Sequence, residues 1–322
     1  MNTGQPYIPP EQATEAGHAC LQSPDRTVFP ADHIDTDQVS FSYSTSQKAT
    51  GKYSLHCHNF YEVYLFMEGD ADYLVEGRQY RPTPESLLLL SPHCFHGVKV
   101  NSDRPYRRYS IHFHPDLLSA ERRPFLLSAF PSPDRRNAQI YFERVDRQGI
   151  VACFEALSGC ARSPEPLKSL LLPVYVEALL AHIVSMARSG SSSASRSDSV
   201  DTVSDILHYL NRHVNEPVTL DSLCERFYIS KHHLNKVFRR ATGTTVFDYL
   251  LHKRVILAQE LLIGGMSAQE AAACAGFGDY SSFYRSYRRI LGHSPLKDRG
   301  VLPSFREEGP KKLEYVNLGK EP

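Results

Sequence analysis

The alternation of apolar and polar positions changes its period once along the first half of the chain. Val39–Tyr43, Glu62–Met67, Ala71–Glu76, Ser86–Leu90, Val98–Val100 and Tyr109–Phe113 are short apolar or aromatic runs. Turn residues such as Glu68-Gly69-Asp70 and Glu76-Gly77-Arg78 separate them, which predicts an antiparallel sandwich or barrel. After Pro115 the period lengthens. Leu117–Phe130, Gln148–Ala161 and Leu167–Ala187 have helical spacing, the last through Leu170, Leu171, Val174, Leu179, Ile183 and Met186. Residues 189–199, SGSSSASRSDS, have no apolar pattern and form a flexible linker by composition. The chain therefore divides into a polar extension over 1–27, mostly unpacked, a strand-and-helix unit over 28–188, the linker 189–199, a helical unit over 200–300, and a tail over 301–322 without periodicity.

The helical unit repeats one plan. Leu220, Leu223 and Phe227 keep helical spacing until Tyr228-Ile229-Ser230 breaks it, and Ser230 is placed to cap a second helix. That helix buries Leu234, Val237, Phe238 and Ala241 and leaves Lys231, His232, Asn235, Lys236, Arg239 and Arg240 outside. In the repeat, Ser267–Cys274 is the support helix and Ala275-Gly276-Phe277-Gly278 the turn. Asp279 then caps a helix that buries Phe283, Tyr287 and Leu291 and shows Tyr280, Ser281, Tyr284, Arg285, Arg288 and Arg289. A support helix, a tight turn and a helix with one basic outer face make a helix-turn-helix, built to enter a DNA groove. Asn235, Lys236, Tyr284 and Arg285 are placed for base edges; Lys231, Arg239, Arg240, Arg288 and Arg289 suit phosphates. Between the motifs Thr245–Ile263 is one helix, with Phe247, Leu250, Leu251, Leu257, Ala258 and Leu261 on the 3.6-residue period. At about 1.5 Å per residue it is roughly 28 Å long, near the ~34 Å that separates two reading helices on one face of DNA.

This segment resembles the DNA-binding domain of the AraC/XylS family of bacterial transcription regulators. Leu223, Ser230, Leu234, Phe238, Gly243, Tyr249, Arg254, Ala258, Leu261, Leu262, Ala272, Gly276, Phe277, Phe283, Arg285, Gly292, Pro295 and Arg299 carry the likeness. Cys224, Ala271 and Asp298 depart from it, the last replacing a frequent aromatic. Upstream, GKYSLHCHNFYEVYLFMEG and ESLLLLSPHCFHGV resemble the two signature stretches of cupins. His56, His58, Glu62 and Gly69 fall on the first, Pro92 and His96 on the second, with Glu85 where a glycine is usual. The implied fold class is two-domain α+β: a cupin-like β-barrel with following helices, then an all-α domain with two helix-turn-helix motifs.

Residues two apart on a strand share a face, so His56 and His58 point inward together, and Glu62 keeps that parity unless a turn at Asn59-Phe60 breaks it. His96 closes the group from a neighbouring strand. His56, His58, Glu62 and His96 are accordingly the candidate effector-binding residues, where they would hydrogen-bond a hydroxylated or carboxylated molecule such as a sugar. The alternative occupant is a divalent transition metal on the same four side chains; no cofactor is otherwise implied. Cys57 faces the other way. His112 and His114 are expected at the surface or in the core rather than as ligands, and Tyr53, Tyr61, Tyr64, Tyr73 and Tyr80 mainly as barrel packing.

Charge and composition narrow the function. The chain of 322 residues has no net charge, so DNA affinity must come from where its charges sit. No apolar run approaches the roughly 20 residues needed to span a bilayer, no signal-peptide pattern opens the chain, and seven cysteines without CxxC spacing suit a reducing cytoplasm. The expected function is sequence-specific transcription regulation on double-stranded DNA, without enzyme activity, with a small molecule sensed by the barrel. The alternative is a cupin-type metalloenzyme, an isomerase or dioxygenase, fused to a DNA-binding domain. The helix over 167–187 is the expected contact of a homodimer, and RNA polymerase a further partner if the protein activates.

Overall fold

Strand β3 (Tyr61–Glu68) shows how the first unit is built. Its five central residues are all buried, yet the two faces differ. Val63 and Leu65 enter an apolar core with the helices, whereas Tyr64 and Phe66 line a second core inside the barrel. Its neighbours β6 (Ser86–Leu90) and β8 (Tyr106–Phe113) divide in the same way: Leu87, Leu89, Ile111 and Phe113 turn to the helices, and Leu88, Leu90 and Tyr106 to the lumen. Register is thereby fixed. A one-residue slip of β3 would exchange Glu62 for Val63 and put a carboxylate among leucines.

The computed structural model describes residues 32–50, 53, 56–131, 139–189, 202–242 and 244–301. The large sheet runs β1-β2-β8-β3-β6-β9, adding β1 (His33–Asp35), β2 (Val39–Ser46) and β9 (Tyr141–Phe142) to the three strands above. The small sheet runs β5-β4-β7, from β4 (Ala71–Val75), β5 (Arg78–Tyr80) and β7 (His96–Val100). All pairings are antiparallel, and a bridge between His56 and His96 prolongs the small sheet. At the β3–β4 turn Gly69 has φ 129°, and a Cβ there would lie 2.9 Å from the Tyr106 backbone. Only glycine lets that turn cross the start of β8. Glu85, where the cupin signature has glycine, adopts φ 59°. The left-handed backbone that favours glycine is kept, at a cost of order 1 kcal/mol.

Helices α2 (Ile150–Ala161) and α3 (Leu167–Ser189) cover the outer face of the large sheet. Both match the expected helices closely. The expected helix over 117–130 does not form. A 3-10 turn at Pro115–Leu117 and the four-residue α1 (Arg123–Leu126) take its place. Pro124 lacks the N–H that a continuous helix would need and its ring clashes with the carbonyl four residues back. Strands β1, β5 and β9, three residues or fewer, carry too little pattern to be read in advance. α3 has the length and apolar character to cross a membrane, contrary to the reading that no such segment exists. Its buried residues, Val176, Leu179, Leu180 and Ile183 among them, are part of the first unit's core.

The second unit is α4 (Thr202–Arg212), α5 (Leu220–Phe227), α6 (Lys231–Thr242), α7 (Val246–Ile263), α8 (Ala268–Cys274) and α9 (Tyr280–Leu291). A 3-10 turn at Pro295–Asp298 follows. α7 is the central rod, and its buried positions are Val246, Tyr249, Leu250, Lys253, Val255, Ile256, Ala258, Gln259 and Leu262. Of the expected stripe Leu250 and Ala258 are buried and Leu251, Leu257 and Leu261 partly so, but Phe247 is 51% exposed. A helix packed on several sides has no single apolar stripe, so periodicity misplaces its faces. The extension 1–27, the linker after Ser189, Gly243 and all of the tail after Val301 lie outside the described residues.

Candidate functional site

Strand parity and sheet order bring a polar cluster together at one end of the barrel. Glu62 points into the lumen from β3, and the bend at Asn59-Phe60 does not change its side. His58 Nε2 lies 3.1 Å from Glu62 Oε2, and His96 Nε2 also 3.1 Å from that oxygen. His112 Nε2 lies 3.3 Å from Oε1. The ring nitrogens of His56, His58 and His96 are within 4.8 Å of one another, as are the ligand atoms of His58, Glu62 and His112. His112 corrects the expectation that it would be a bland histidine: β8 lies beside β3, with His112 directly opposite Glu62. His114 is buried next to Phe60, with ring centroids 6.0 Å apart. Cys57 is fully buried on the opposite side, and burial pushes its thiol up to about 12, so it is not a thiolate ligand.

The backbone sets the tautomers. His58 Nδ1 is 3.1 Å from Phe60 O and His96 Nδ1 is 2.9 Å from Cys94 O. A carbonyl only accepts, so each Nδ1 carries the proton and donates. Burial then pushes the His58 ring down to about 3, against the neighbouring Glu62 carboxylate, which raises it, and the ring is neutral. Burial also raises the Glu62 carboxyl, but the charge of His112 and the bond it donates outweigh it and hold the group well below the usual range. The result is a buried set of acceptors: the unprotonated Nε2 atoms of His58 and His96 lie 3.1 Å from a carboxylate oxygen. His96 Nε2 has no hydrogen-bond partner of good geometry. Such a set is costly without a cation or donor among its members.

Above the cluster, the hydroxyls of Tyr64 and Tyr73 both meet that of Tyr106, with the Arg108 guanidinium 4.8 Å from the Tyr106 ring centre. Sequence reasoning had Tyr64 and Tyr73 as packing; it missed the convergence of their polar ends, which needs β3, β4 and β8 placed in space. Tyr61 and Tyr80 lie elsewhere, against the helix-side core and Tyr141 respectively.

The second site is the outer surface of the helical unit. Ser230 Oγ accepts from His233 N at 3.3 Å, Ser267 forms a capping box with Glu270, and Asp279 accepts from Ser282 N at 2.8 Å. Lys231, His232, Lys236, Arg239 and Arg240 on α6, and Tyr280, Ser281, Arg285, Arg288 and Arg289 on α9, are exposed, with Asn235 and Tyr284 half-buried. Leu234 and Phe238, and Phe283 and Tyr287, are buried beneath them. Lys231 is held at 2.5 Å by Asp221 of the support helix, which raises its pKa.

Residues 38–175 match the family model of the AraC-like ligand binding domain, and residues 223–300 match that of a helix-turn-helix domain. The chain belongs to the AraC family of transcription regulators. It is 23% identical over 270 residues to an uncharacterized HTH-type transcriptional regulator, YfiF of Bacillus subtilis, covering 81% of this chain and 84% of that one. It is 24% identical over 249 residues to the HTH-type transcriptional activator RhaR of Cronobacter sakazakii, covering 74% and 84%. Among solved structures, ToxT from Vibrio cholerae aligns over 82% of this chain and 98% of its own, at 14% identity and a TM-score of 0.35. The protein is thus a transcription regulator with an N-terminal ligand-binding unit and a C-terminal DNA-binding unit.

Proposed function

We propose that this regulator senses through the histidine–carboxylate cluster and that a divalent transition metal is the occupant best suited to it. The observation that carries this reading is the pair of imidazoles, His58 and His96, whose Nδ1–H groups are spent on backbone carbonyls while their Nε2 atoms face Glu62. A metal-ligating histidine is oriented in this way by the hydrogen bond of its other nitrogen. The donor set is imidazole and carboxylate, which suits zinc, iron, nickel or manganese. His58, His96, Glu62 and His112 would hold the ion, with His56 at the rim. Its role would be to neutralise the buried acceptors and fix the segments that carry them.

A hydroxylated small molecule such as a sugar is the second reading. The phenols of Tyr64, Tyr73 and Tyr106 favour it, since they add polar groups to the same lumen. In either case the protein acts without catalysis, binds double-stranded DNA through α6 and α9, and works in the cytoplasm. Every described cysteine is a free thiol, in keeping with a reducing compartment. It works as a homodimer, through the exposed Leu167, Leu170 and Val174 on one face of α3, and would contact RNA polymerase where it activates.

Elemental analysis of protein purified without an affinity tag tests the metal reading. The expected result is near-stoichiometric metal in the parent and its loss in His58→Ala. Operator fragments selected from genomic DNA then test sensing: removing and restoring the metal should change their affinity. Metal-free parent protein that responds instead to a hydroxylated ligand would establish the second reading.

A further inference from the structure

The tip of the β4–β5 hairpin is seated in the DNA-binding unit. Glu76 and Gly77 both have positive φ, 44° and 77°, as in a two-residue turn that ordinarily favours Asn-Gly or Gly-Gly. The glutamate in this unfavourable position has its carboxylate fully engaged. Oε1 accepts from Lys253 Nζ at 2.9 Å and Phe95 N at 2.8 Å; Oε2 accepts from Tyr249 Oη at 2.5 Å and Asn211 Nδ2 at 3.4 Å. Beside it Gly77 approaches α4 so closely that a Cβ would lie 2.7 Å from Leu207 Cδ1. Lys253 Nζ also donates to His93 O, and Phe95 packs on Tyr249 with ring centroids 4.6 Å apart. Cys57 and Phe95 are buried in the apolar core of the DNA-binding unit rather than that of the barrel.

These contacts are the outer side of the histidine cluster. Cys57 lies between His56 and His58 and faces α7 while they face the lumen. His93 N donates to His58 O at 2.7 Å, and Cys94 O accepts from His96 Nδ1 at 2.9 Å. The backbone segments that hold the cluster imidazoles on one side therefore hold α7 on the other, and α7 joins the two helix-turn-helix motifs. A cavity of about 360 Å³, lined in part by Val75, Pro92, Cys94, Leu207 and Leu257, runs along the same seam and leaves room for it to shift.

We propose that this seam is a clasp that opens and closes, and that the state of the cluster sets it, so that the sensor acts on DNA binding through α7. The control by the cluster rests on the sensing reading above; the clasp itself does not.

Cys57 is a native reporter, since opening the seam exposes its thiol. In the full chain, Lys253→Met and Gly77→Val break the clasp by independent means, one by charge and one by bulk. Thiol labelling mapped to individual cysteines should show Cys57 reacting about tenfold faster or more in both, because labelling follows the open fraction. Cys160, buried in the sensor core, should stay unreactive. Glu62→Gln, a change inside the barrel, should also shift the Cys57 rate severalfold. No rise in either seam variant, or a rise matched by Cys160, overturns the clasp. Opening in the seam variants with Cys57 unmoved by Glu62→Gln overturns the control by the cluster. These readouts need no bound metal, so failure of metal uptake is seen separately.

Discussion

Glu62 and His112 face each other across the β3–β8 pair, with His112 Nε2 3.3 Å from Glu62 Oε1, while the other carboxylate oxygen meets His58 and His96. One carboxylate thus ties together imidazoles from three separate segments. Because His58 belongs to both groups of ligand atoms and His112 to one, removing His112 should weaken metal binding without abolishing it, whereas His58→Ala should abolish it. Competition with a chromophoric chelator measures both. Equal affinity in His112→Ala and the parent would show that His112 only balances charge.

On α6, Lys231 is spoken for by Asp221 at 2.5 Å, so its availability to phosphate is limited by a residue of the support helix. Asp221→Asn should tighten binding to all DNA sequences and steepen the salt dependence by about one unit of slope. Affinity titrated against salt concentration checks this; an unchanged slope would remove Lys231 from the phosphate contacts.

Arg285 is exposed on α9 with its guanidinium 3.3 Å from Ser282 Oγ, and it is assigned to a base edge. Arg285→Ala should cost about 1–3 kcal/mol at one operator position and relax the preference there. Selection from a random library with parent and variant distinguishes this from uniform weakening, which would place Arg285 on the backbone instead.

Much of this was legible in the residues, for reasons that differ by element. The helix-turn-helix pair was readable because caps, turns and apolar faces are all local: Ser230, Ser267 and Asp279 lie within three residues of the N–H groups they accept from. His56, His58 and Glu62 were picked out by the resemblance to the cupin signature, and local parity put them on one side. His112 did not, since its role depends on which strand lies beside β3, and that is decided by long-range pairing. The Glu76–Lys253 pair was equally hidden. It joins residues 177 apart, and a lysine within a helix reads as solvent-facing unless its partner is known. The one local hint was a glutamate in a turn position suited to asparagine or glycine.

The same pair gives a pH dependence. Burial alone would raise the Glu76 carboxyl, but the charge of Lys253 and the bonds from Tyr249, Phe95 and Lys253 outweigh it and hold the group below its ordinary value. A carboxyl depressed in the fold contributes stability that is complete above its unfolded value, about 4.3, and lost as pH falls through the lower folded one. The stability advantage of the parent over Glu76→Gln should therefore be constant from neutral pH to about 5 and shrink on further acidification. Denaturant titrations at several pH values measure it; an advantage that persists undiminished at pH about 2 would mean the carboxylate charge is not what holds the seam.

Asp298, which departs from the aromatic frequent in the family, is buried at 5% exposure and is satisfied by its surroundings. Tyr287 Oη donates to its Oδ2, Gln259 Nε2 donates to the same atom at 3.2 Å, and His293 Nε2 lies 3.7 Å away. The network joins α9, α7 and the closing 3-10 turn beneath the second reading helix, so a polar residue there substitutes bonds for ring packing. Asp298→Ala should destabilise the helical unit by about 1–3 kcal/mol, because it leaves a buried phenol and a buried amide without their acceptor. Tyr287→Phe should cost less, since Asp298 keeps Gln259. The double variant decides whether the bond matters as a pair: a coupling energy of about 0.5 kcal/mol or more is expected for groups in direct contact. Urea unfolding followed by the helical signal provides the four stabilities. If the two single effects simply add, the hydroxyl and the carboxylate are not bonded in solution, and the departure at Asp298 is tolerated for some other reason than this network.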